Sequence, residues 1–298
     1  MKVLIAEDED VSRLKLESLL TAWSYEVVAV ADGTKAWNVL QREDAPRLAI
    51  LDWIMPGIDG PEICRMVRKT QHTSYTYLII LTAKTRREDV IVGMEAGADD
   101  YVNKPFDAQE LKVRLRAGQR IVELEEALRV QATHDSLTGA WNHGAIIEML
   151  ARELARARRE GTALGVVLAD LDHFKLVNDR YGHLAGDEVL RTVAQRMTHS
   201  IRMHDFLGRY GGEEFLLLFP RCKLGDAVGL AERLRRGVAA EPVATTAGKI
   251  GCTISLGVTA SDPVELATGE ALLHRADLAL YQAKRLGRNQ VAVLPSLG

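Results

Sequence analysis

Short apolar runs alternate with segments of helical periodicity over the first 105 or so residues, and this alternation restricts the fold more than any other feature. The apolar runs predict buried strands at Lys2–Ala6, Glu26–Val30, Leu48–Leu51, Tyr77–Leu81 and Tyr101–Asn103. Helices are predicted between them at Val11–Ala22, Thr34–Gln41, Gly60–Arg68 and Arg86–Glu95. Strands separated by helices form βαβ units, so we predict an α/β domain with a doubly wound parallel sheet. Its ligand crevice would lie beyond the carboxyl ends of the strands.

A charged helical pattern follows Pro105, with Asp107 as its N-cap, and runs to about Ala132. It carries two apolar seams, the first made of Leu111, Leu115, Gly118 and Val122 and the second of Ala117, Ile121, Leu124 and Leu128. Both are shorter than the three or four heptads of a firm coiled coil. Two interpretations stay open: a linker helix packed on its own domain, or the stalk of a parallel dimer.

The rest of the chain, from about Thr133 to Gly298, mixes helices and strands as an α+β domain. Helices are predicted at Ala145–Glu160, Gly186–Met203, Leu224–Ala239 and Glu270–Arg285. Strands are predicted at Leu164–Ala169, Phe206–Tyr210, Phe215–Phe219, Gly251–Thr259 and Val291–Val293. The glycine pair Gly211-Gly212 indicates a tight hairpin turn. We therefore expect a first domain over residues 1–125, whose last helix (107–132) extends into the linker, and a second over residues 133–298.

Composition excludes several classes of protein. The length of 298 residues suits two domains, and a net charge of −3 gives no reason to expect binding to nucleic acid or to an anionic membrane. The N-terminus lacks a signal-peptide core, and no apolar run approaches the roughly 18 residues of a membrane span. We expect a cytoplasmic protein whose three cysteines are buried, reduced thiols.

Acidic and basic side chains follow the predicted strands of the first domain. Glu7 and Asp8 come after the first strand, Asp52 ends the third, Thr82 ends the fourth and Lys104 follows the fifth. All five would meet at one rim of the sheet. Three neighbouring carboxylates repel unless a cation neutralises them, and oxygen ligands suit Mg²⁺. Asp52 could then attack a phosphoryl group while Lys104 and Thr82 stabilise its oxygens.

The second domain has a similar concentration of acids. Asp170 emerges at the end of a predicted strand, and Glu213 and Glu214 follow the glycine pair. Glycines let the backbone approach a ligand closely. A site with Asp170 and Glu213 would suit Mg²⁺ (or Mn²⁺) carrying triphosphate oxygens. Taken alone, the motif is a weak signal and favours an ordinary solvated turn over a catalytic site.

Four stretches give the first domain a family resemblance: Ile5-Ala6-Glu7-Asp8, Leu51 to Gly57, Leu81-Thr82-Ala83 and Gly97 to Pro105. With them, residues 1–125 resemble the flavodoxin-like receiver domain of two-component response regulators. The resemblance implies Asp52 as phosphoacceptor, with a cognate histidine kinase as donor, and Glu7 and Asp8 as metal ligands. It also implies Thr82 and Tyr101 as the switch pair. Glu7 departs from the family, which more often has Asp.

The second domain resembles the GGDEF domain of diguanylate cyclases, a palm-like fold shared with nucleotide cyclases. Its motifs are Asp135 to Gly139, Asp170 to Lys175 with Asn178-Asp179, Gly182 to Asp187, Gly211 to Phe215, Ala276 to Lys284 and Gly287 to Asn289. The resemblance implies a phosphorylation-activated enzyme that condenses two GTP into cyclic di-GMP. Ala140, Trp141 and His143 depart from the usual pattern, outside the implied catalytic set.

The resemblance also assigns roles within the site. The implied metal ligands are Asp170, Glu213 and the Leu171 carbonyl, with Glu214 a further acidic contributor. Asn178 and Asp187 are the implied guanine readers, and a carboxylate matches guanine's donor edge. The implied phosphate-binding groups are Lys284, Arg288, Lys175 and the backbone N–H groups around Phe174.

The family also has a product-binding inhibitory site, which the spacing of Arg202 and Asp205 matches, with Arg233 as a further candidate. An ordinary Arg–Asp surface pair is the alternative. Since two GTP molecules must face each other, we expect a homodimer through the linker helix and the receiver, with phosphorylation moving the stalk between its two seams. Rival interpretations are a non-catalytic nucleotide receptor, a DNA-binding regulator and a cyclase of mixed purine specificity.

Overall fold

The computed structural model describes residues 1–42, 44–70, 75–83, 87–261 and 267–294. It divides the chain into two compact units, Met1–Arg129 and Val130–Gly298. Among the described residues, no helix combines the length and apolar character needed to cross a bilayer.

The first unit alternates strands and helices as predicted. Its elements are β1 (Lys2–Ala6), α1 (Asp10–Ala22), β2 (Glu26–Val30), α2 (Gly33–Leu40), β3 (Leu48–Asp52), α3 (Gly60–Lys69), β4 (Tyr77–Thr82), α4 (Arg87–Glu95), β5 (Asp100–Asn103) and α5 (Ala108–Thr133). The strands form a parallel sheet in the order β2-β1-β3-β4-β5. Arg86, the predicted first residue of α4, lies outside the described residues.

Helices cover both faces of this sheet, which confirms the predicted doubly wound fold. Successive residues of β1 point to opposite faces, so Leu4 and Ala6 enter one apolar core while Val3 and Ile5 enter the other. Every residue of β3 and β4 is buried, as expected for central strands of a parallel sheet. Because these strands are parallel, the carboxyl ends of β1, β3, β4 and β5 lie at one rim of the sheet.

Helix α5 carries the two apolar seams in different environments. Asp107 caps its start by accepting hydrogen bonds from the N–H groups of Gln109 and Glu110. The first seam is buried against the receiver-like core. At Gly118 a side chain would meet the Tyr77 ring at 2.4 Å, so glycine permits this close packing. The second seam is exposed, with Leu124 53% and Leu128 60% accessible.

The second unit is an α+β domain. Its elements are α6 (His143–Glu160), β6 (Leu164–Leu171), α7 (Phe174–Tyr181), α8 (His183–Ser200), β7 (Phe206–Gly211), β8 (Glu214–Pro220), α9 (Leu224–Ala239), β9 (Val243–Thr245), β10 (Gly248–Ile250), β11 (Ile254–Ala260), α10 (Gly269–Arg285) and β12 (Val291–Val293). The main sheet has the order β12-β11-β6-β8-β7, and β9 and β10 form a separate hairpin. β6 lies at its centre, antiparallel to both β11 and β8.

Several details differ from the sequence prediction, among them the start of helix α8, which is His183 rather than Gly186. Helix α7 and the β9–β10 hairpin were not predicted, because they are short and α7 buries only Phe174. Helix α8 ends at Ser200 rather than Met203, because Ile201 is extended and the next residues form a turn. Strand β11 begins at Ile254 rather than Gly251.

Candidate functional sites

The first unit gathers an acidic cluster at the carboxyl rim of its sheet. Glu7, Asp8 and Asp52 each offer a carboxylate oxygen, and these oxygens lie within 4.8 Å of one another. Among the described residues this is the one group of three potential metal ligands so close together. The Lys104 ammonium lies 2.7 Å from Glu7 Oε2 and 2.9 Å from Asp52 Oδ2. The sequence prediction that these strand ends converge is therefore met.

Electrostatic strain in this cluster suits a divalent cation. Burial, opposed by Lys104 and reinforced by the negative charge of Glu7, raises the pKa of Asp52 to about 6. Glu7 is fully buried and accepts a hydrogen bond from Ser12 Oγ at 3.1 Å. The longer side chain at position 7 thus reaches the cluster, and an oxygen-rich group of this kind fits Mg²⁺.

The two residues expected to switch lie on adjacent strands. Thr82 ends β4 and is buried, whereas Tyr101, on β5, is partly exposed. The Arg114 guanidinium carbon stands 5.8 Å from the centre of the Tyr101 ring. β4 and β5 are hydrogen-bonded neighbours. A movement of the Thr82 side chain would therefore take place directly beside the strand that carries Tyr101.

The second unit brings its acids together across two strands. Asp170, on β6, is the direct cross-strand partner of Glu214, on β8. Between β7 and β8 the chain turns at Gly212 and Glu213, and Gly212 has a φ of +49°, which glycine adopts without strain. The Lys284 ammonium, near the end of α10, lies 2.7 Å from Asp170 Oδ2.

Burial and, in part, the negative charge of neighbouring carboxylates raise the pKa values of Asp170 and Glu214. Burial raises the pKa of Asp170, Lys284 opposes the rise, and the charges of Glu213 and Asp172 add to it. Burial and then the charge of Asp170 raise the pKa of Glu214. Both acids therefore favour a compensating cation, which Lys284 supplies in part.

An open pocket of about 460 Å³ lies beside the glycine turn. It is lined by Phe174, Lys175, Asn178, His183, Asp187, Leu190, Arg209, Gly212 and Glu213. Five predicted site residues are among them. The Asn178 side chain can occupy this position only because residue 186 is glycine. A Cβ at residue 186 would lie 1.9 Å from Asn178 Oδ1.

The remaining predicted substrate residues frame the same region. Helix α7 begins at Phe174 without a side-chain cap, so its first N–H groups are suited to an anion. Leu171 is buried, and its N–H donates to the Glu213 carbonyl at 3.3 Å. Arg288 follows Lys284 just beyond α10 and is exposed, with a φ of 65°.

Arg209 was missed as a site residue. Its Nε donates to the Gly212 carbonyl at 2.8 Å, and its Nη1 lies 3.1 Å from Asp135 Oδ2. The guanidinium thus fixes the glycine turn and also lines the pocket. The available signal was its position two residues before Gly211.

The three residues expected to bind product lie around one helix end. The Asp205 carboxylate accepts a hydrogen bond from the backbone N–H of Arg202 at 2.8 Å and is largely buried. The Arg202 side chain is exposed. Arg233, on α9, donates to the carbonyl of Ser200 at 2.6 Å. The turn is therefore held by the backbone of Arg202, which leaves its guanidinium exposed to solvent.

Comparison with known proteins finds a match for each of the two units. The family described as "Diguanylate cyclase, GGDEF domain" matches residues 132–290. The family described as "Response regulator receiver domain" matches residues 3–116. The response regulator PleD of Caulobacter vibrioides is 35% identical over 82% of this chain. The diguanylate cyclase DgcP of Pseudomonas aeruginosa is 39% identical over 67% of it. The chain spans 56% of the length of PleD and 31% of that of DgcP.

A solved structure extends the likeness to three dimensions. The coiled coil and GGDEF domain of DgcB from Caulobacter crescentus, in complex with c-di-GMP, has a TM-score of 0.57 and 33% identity. It covers 62% of this chain and 98% of its own. The chain therefore belongs to the diguanylate cyclase GGDEF family, with a response-regulator receiver domain preceding the GGDEF domain.

Proposed function

We propose that the chain is a diguanylate cyclase that condenses two GTP into cyclic di-GMP and two pyrophosphates, that phosphorylation of Asp52 activates it, and that its product inhibits it. The observation that carries the proposal is the pairing of Asp170 with Glu214 beside the glycine turn and its pocket. Each GTP would contribute a 3′-hydroxyl that attacks the α-phosphate of the other, and pyrophosphate leaves.

The acids of this site would hold a divalent cation. Asp170, Glu213 and the Leu171 carbonyl are the proposed ligands, and Glu214 adds a second carboxylate opposite Asp170. A bound Mg²⁺ would neutralise phosphate charge and lower the pKa of the attacking hydroxyl. Burial and the charge of neighbouring carboxylates raise the pKa values of Asp170 and Glu214, which is consistent with that role.

Guanine selection is proposed for Asn178 and Asp187, which line the pocket together. Guanine presents N–H donors on its Watson–Crick edge, which a carboxylate accepts. Adenine would leave that carboxylate unpaired, and unpaired buried polar groups are the strongest basis for rejecting an analogue.

Phosphate binding is proposed for Lys284, Arg288, Lys175 and the N-terminus of α7. Lys284 pairs with Asp170 at 2.7 Å, which places its ammonium at the acids rather than in solvent. Triphosphate oxygens would give it further acceptors. Arginine forms bidentate hydrogen bonds with phosphate, which suits Arg288 for the terminal groups.

Two chains are required, because each holds one GTP and the reaction joins two. We propose a parallel homodimer in which the exposed second seam of α5 packs against its counterpart. The first seam is buried in the receiver of its own chain. The second seam is therefore the one exposed for dimerisation in this structure, and the expected movement of the stalk between its two seams stays a prediction.

Regulation is proposed at both ends of the chain. A cognate histidine kinase would phosphorylate Asp52, with Lys104 and Thr82 stabilising the added oxygens. Cyclic di-GMP would bind at Arg202, Asp205 and Arg233, where an exposed guanidinium can pair with guanine O6 and N7. DgcB, a relative of known structure, was solved with c-di-GMP bound.

The test is to incubate the purified full chain with GTP and Mg²⁺, with and without a small phosphodonor, and to measure cyclic di-GMP. Glu213→Gln should abolish product. Asp52→Asn should keep basal synthesis and lose the stimulation, and Arg202→Ala should relieve inhibition by added product. Absence of product from the phosphodonor-treated dimer would refute the proposal.

A further inference from the structure

Asp172 lies two residues after Asp170, yet its carboxylate is committed elsewhere. Its Oδ1 accepts from Ser255 Oγ at 2.7 Å, and its Oδ2 accepts from Thr253 Oγ1 at 2.7 Å and from the N–H of Asn289 at 3.0 Å. The residue is 7% exposed. A buried carboxylate that accepts three hydrogen bonds is satisfied without a metal ion.

The Asn289 N–H belongs to an unusual turn after α10. Gly287, Arg288 and Asn289 have φ values of 117°, 65° and 44°, so three successive residues adopt positive φ. Residues with a side chain rarely do so, and such strain persists only where surrounding contacts impose it. The turn therefore needs external anchors.

Three contacts hold the turn, one from α10, one from α9 and one from the end of β6. The Arg288 N–H donates to the Ala283 carbonyl at 3.1 Å, within the end of α10. Asn289 Oδ1 accepts from Arg235 Nη1 at 2.8 Å, and Arg235 is itself held by Glu232 on the same helix, α9. Asp172, the first residue after β6, provides the third contact, next to the strand end that carries Asp170.

We propose that Asp172 is a positioning residue: its buried carboxylate fixes the left-handed turn at Arg288 and Asn289 and so presents Arg288 to the terminal phosphates of GTP. The inference rests on the proposed function for the role of Arg288. It separates two neighbouring acids, because Asp170 serves the cation and Asp172 serves the turn. Arg235 supports the same turn from the opposite side.

The first measurement needs no nucleotide. Amide hydrogen exchange at Asn289 is followed in the full chain and in Asp172→Ala and Asp172→Asn. Loss of the acceptor in Asp172→Ala should speed exchange by about tenfold or more. In Asp172→Asn the amide oxygen still accepts from the Asn289 N–H and the amide nitrogen donates to a neighbouring hydroxyl, so exchange should stay near the parent rate. Equal exchange in all three proteins would overturn the anchoring role.

The second measurement compares binding of a non-reacting GTP analogue and of GMP, both with Mg²⁺. Asp172→Ala should weaken analogue binding by about tenfold or more and leave GMP binding nearly unchanged, because GMP lacks the terminal phosphates. Asp172→Asn should retain most analogue affinity. If Asp172 were a metal ligand, Asn would fail as completely as Ala, and that result would overturn the proposal.

Arg235→Ala repeats the test if Asp172→Ala does not fold, and it should show the same selective loss of analogue binding. Arg236→Ala is the matched control, since Arg236 also contacts Glu232 at 2.8 Å and is 74% exposed, but within the described part of the chain it forms no hydrogen bond or ion pair with the turn. Failure of the parent protein to bind either nucleotide would refute the proposed function and the role of Arg288, while the exchange data would still decide whether Asp172 anchors the turn.

Discussion

Asp52 combines burial with the nearby charge of Glu7, and its pKa of about 6 against a reference value of 3.8 has a consequence for stability. Between those values the folded chain binds more protons than the unfolded chain. The free energy of unfolding of the receiver should therefore fall as pH rises through this interval. The loss would persist at neutral pH until a cation or a phosphoryl group changes the charge of the cluster.

Asp52→Asn should remove this loss. In a chelating buffer near neutral pH, the variant should unfold at a higher urea concentration than the parent, and the difference should shrink as pH falls toward about 4. The fluorescence of Trp23, Trp37 and Trp53 reports on the receiver in a Trp141→Phe background. A difference that is constant with pH would show that Asp52 is not the titrating group.

Gly186 should be essential for nucleotide affinity. In Gly186→Ala the new methyl group would lie 1.9 Å from Asn178 Oδ1, so Asn178 must move out of its pocket position. We expect the KM for GTP to rise by about tenfold or more. Gly229→Ala is the control, because no atom lies within 4 Å of its added methyl, and alanine should stabilise α9 by about 0.5–1 kcal/mol. An unchanged KM in Gly186→Ala would remove Asn178 from the proposed site.

The chemistry-bearing residues that sequence reasoning found share one property: a distinctive residue type at the end of a strand or beside a glycine turn. Asp52, Asp170 and Lys104 are examples. Arg209 and Asp172 share this property, but their roles could not be assigned from it. Their roles depend on partners 74 and 117 residues distant in the chain, Asp135 and Asn289, and no local pattern specifies such pairs.

At the scale of elements, α5 separates its two apolar seams between core and surface. Leu124→Glu would place a charge on the exposed seam. If the second seam forms the stalk interface, dimerisation should weaken by about tenfold or more, because a buried unpaired charge is costly. Sedimentation equilibrium measures the change. Val130→Glu is the matched control, since Val130 is also exposed, at 41%, but lies on another face. Equal association of the two variants would exclude this seam.

Element boundaries followed from periodicity where elements are long and amphipathic. Helices α6, α9 and α10 begin within about two residues of their predicted starts. The short elements escaped detection, because a helix with one buried residue or a strand of three residues carries no measurable period. The end of α8 depends on the Asp205 turn, which is a tertiary rather than a periodic signal.

At the scale of the whole molecule, both folds were predictable from the sequence. Each unit has its own apolar cores, and in the chain the first unit ends at Arg129 and the second begins at Val130. The sequence could not show which seam of helix α5 is already occupied. Both seams have the same spacing, and only the contacts of Gly118 with Tyr77 and of its neighbours with the receiver core distinguish them.

The proposed cyclase activity requires two chains, so the activity per chain should fall on dilution. A cyclase whose two GTP sites lie on different chains loses turnover as dimers dissociate, so specific activity should fall when the protein is diluted below its dimerisation constant. Leu124→Glu should shift that fall to higher protein concentration. Activity per chain that is independent of dilution, in a protein that sediments as a monomer, would contradict the requirement for two chains.

The exposed seam also makes the number of dimers in a cell depend on how much of this protein the cell makes. The first seam packs within its own chain, so its burial does not depend on protein concentration. The second seam can be buried only when two chains collide and associate. Where most copies are single, doubling their number should roughly quadruple the number of pairs. If the chain makes cyclic di-GMP as proposed, the amount made would then rise roughly as the square of gene expression rather than in proportion to it.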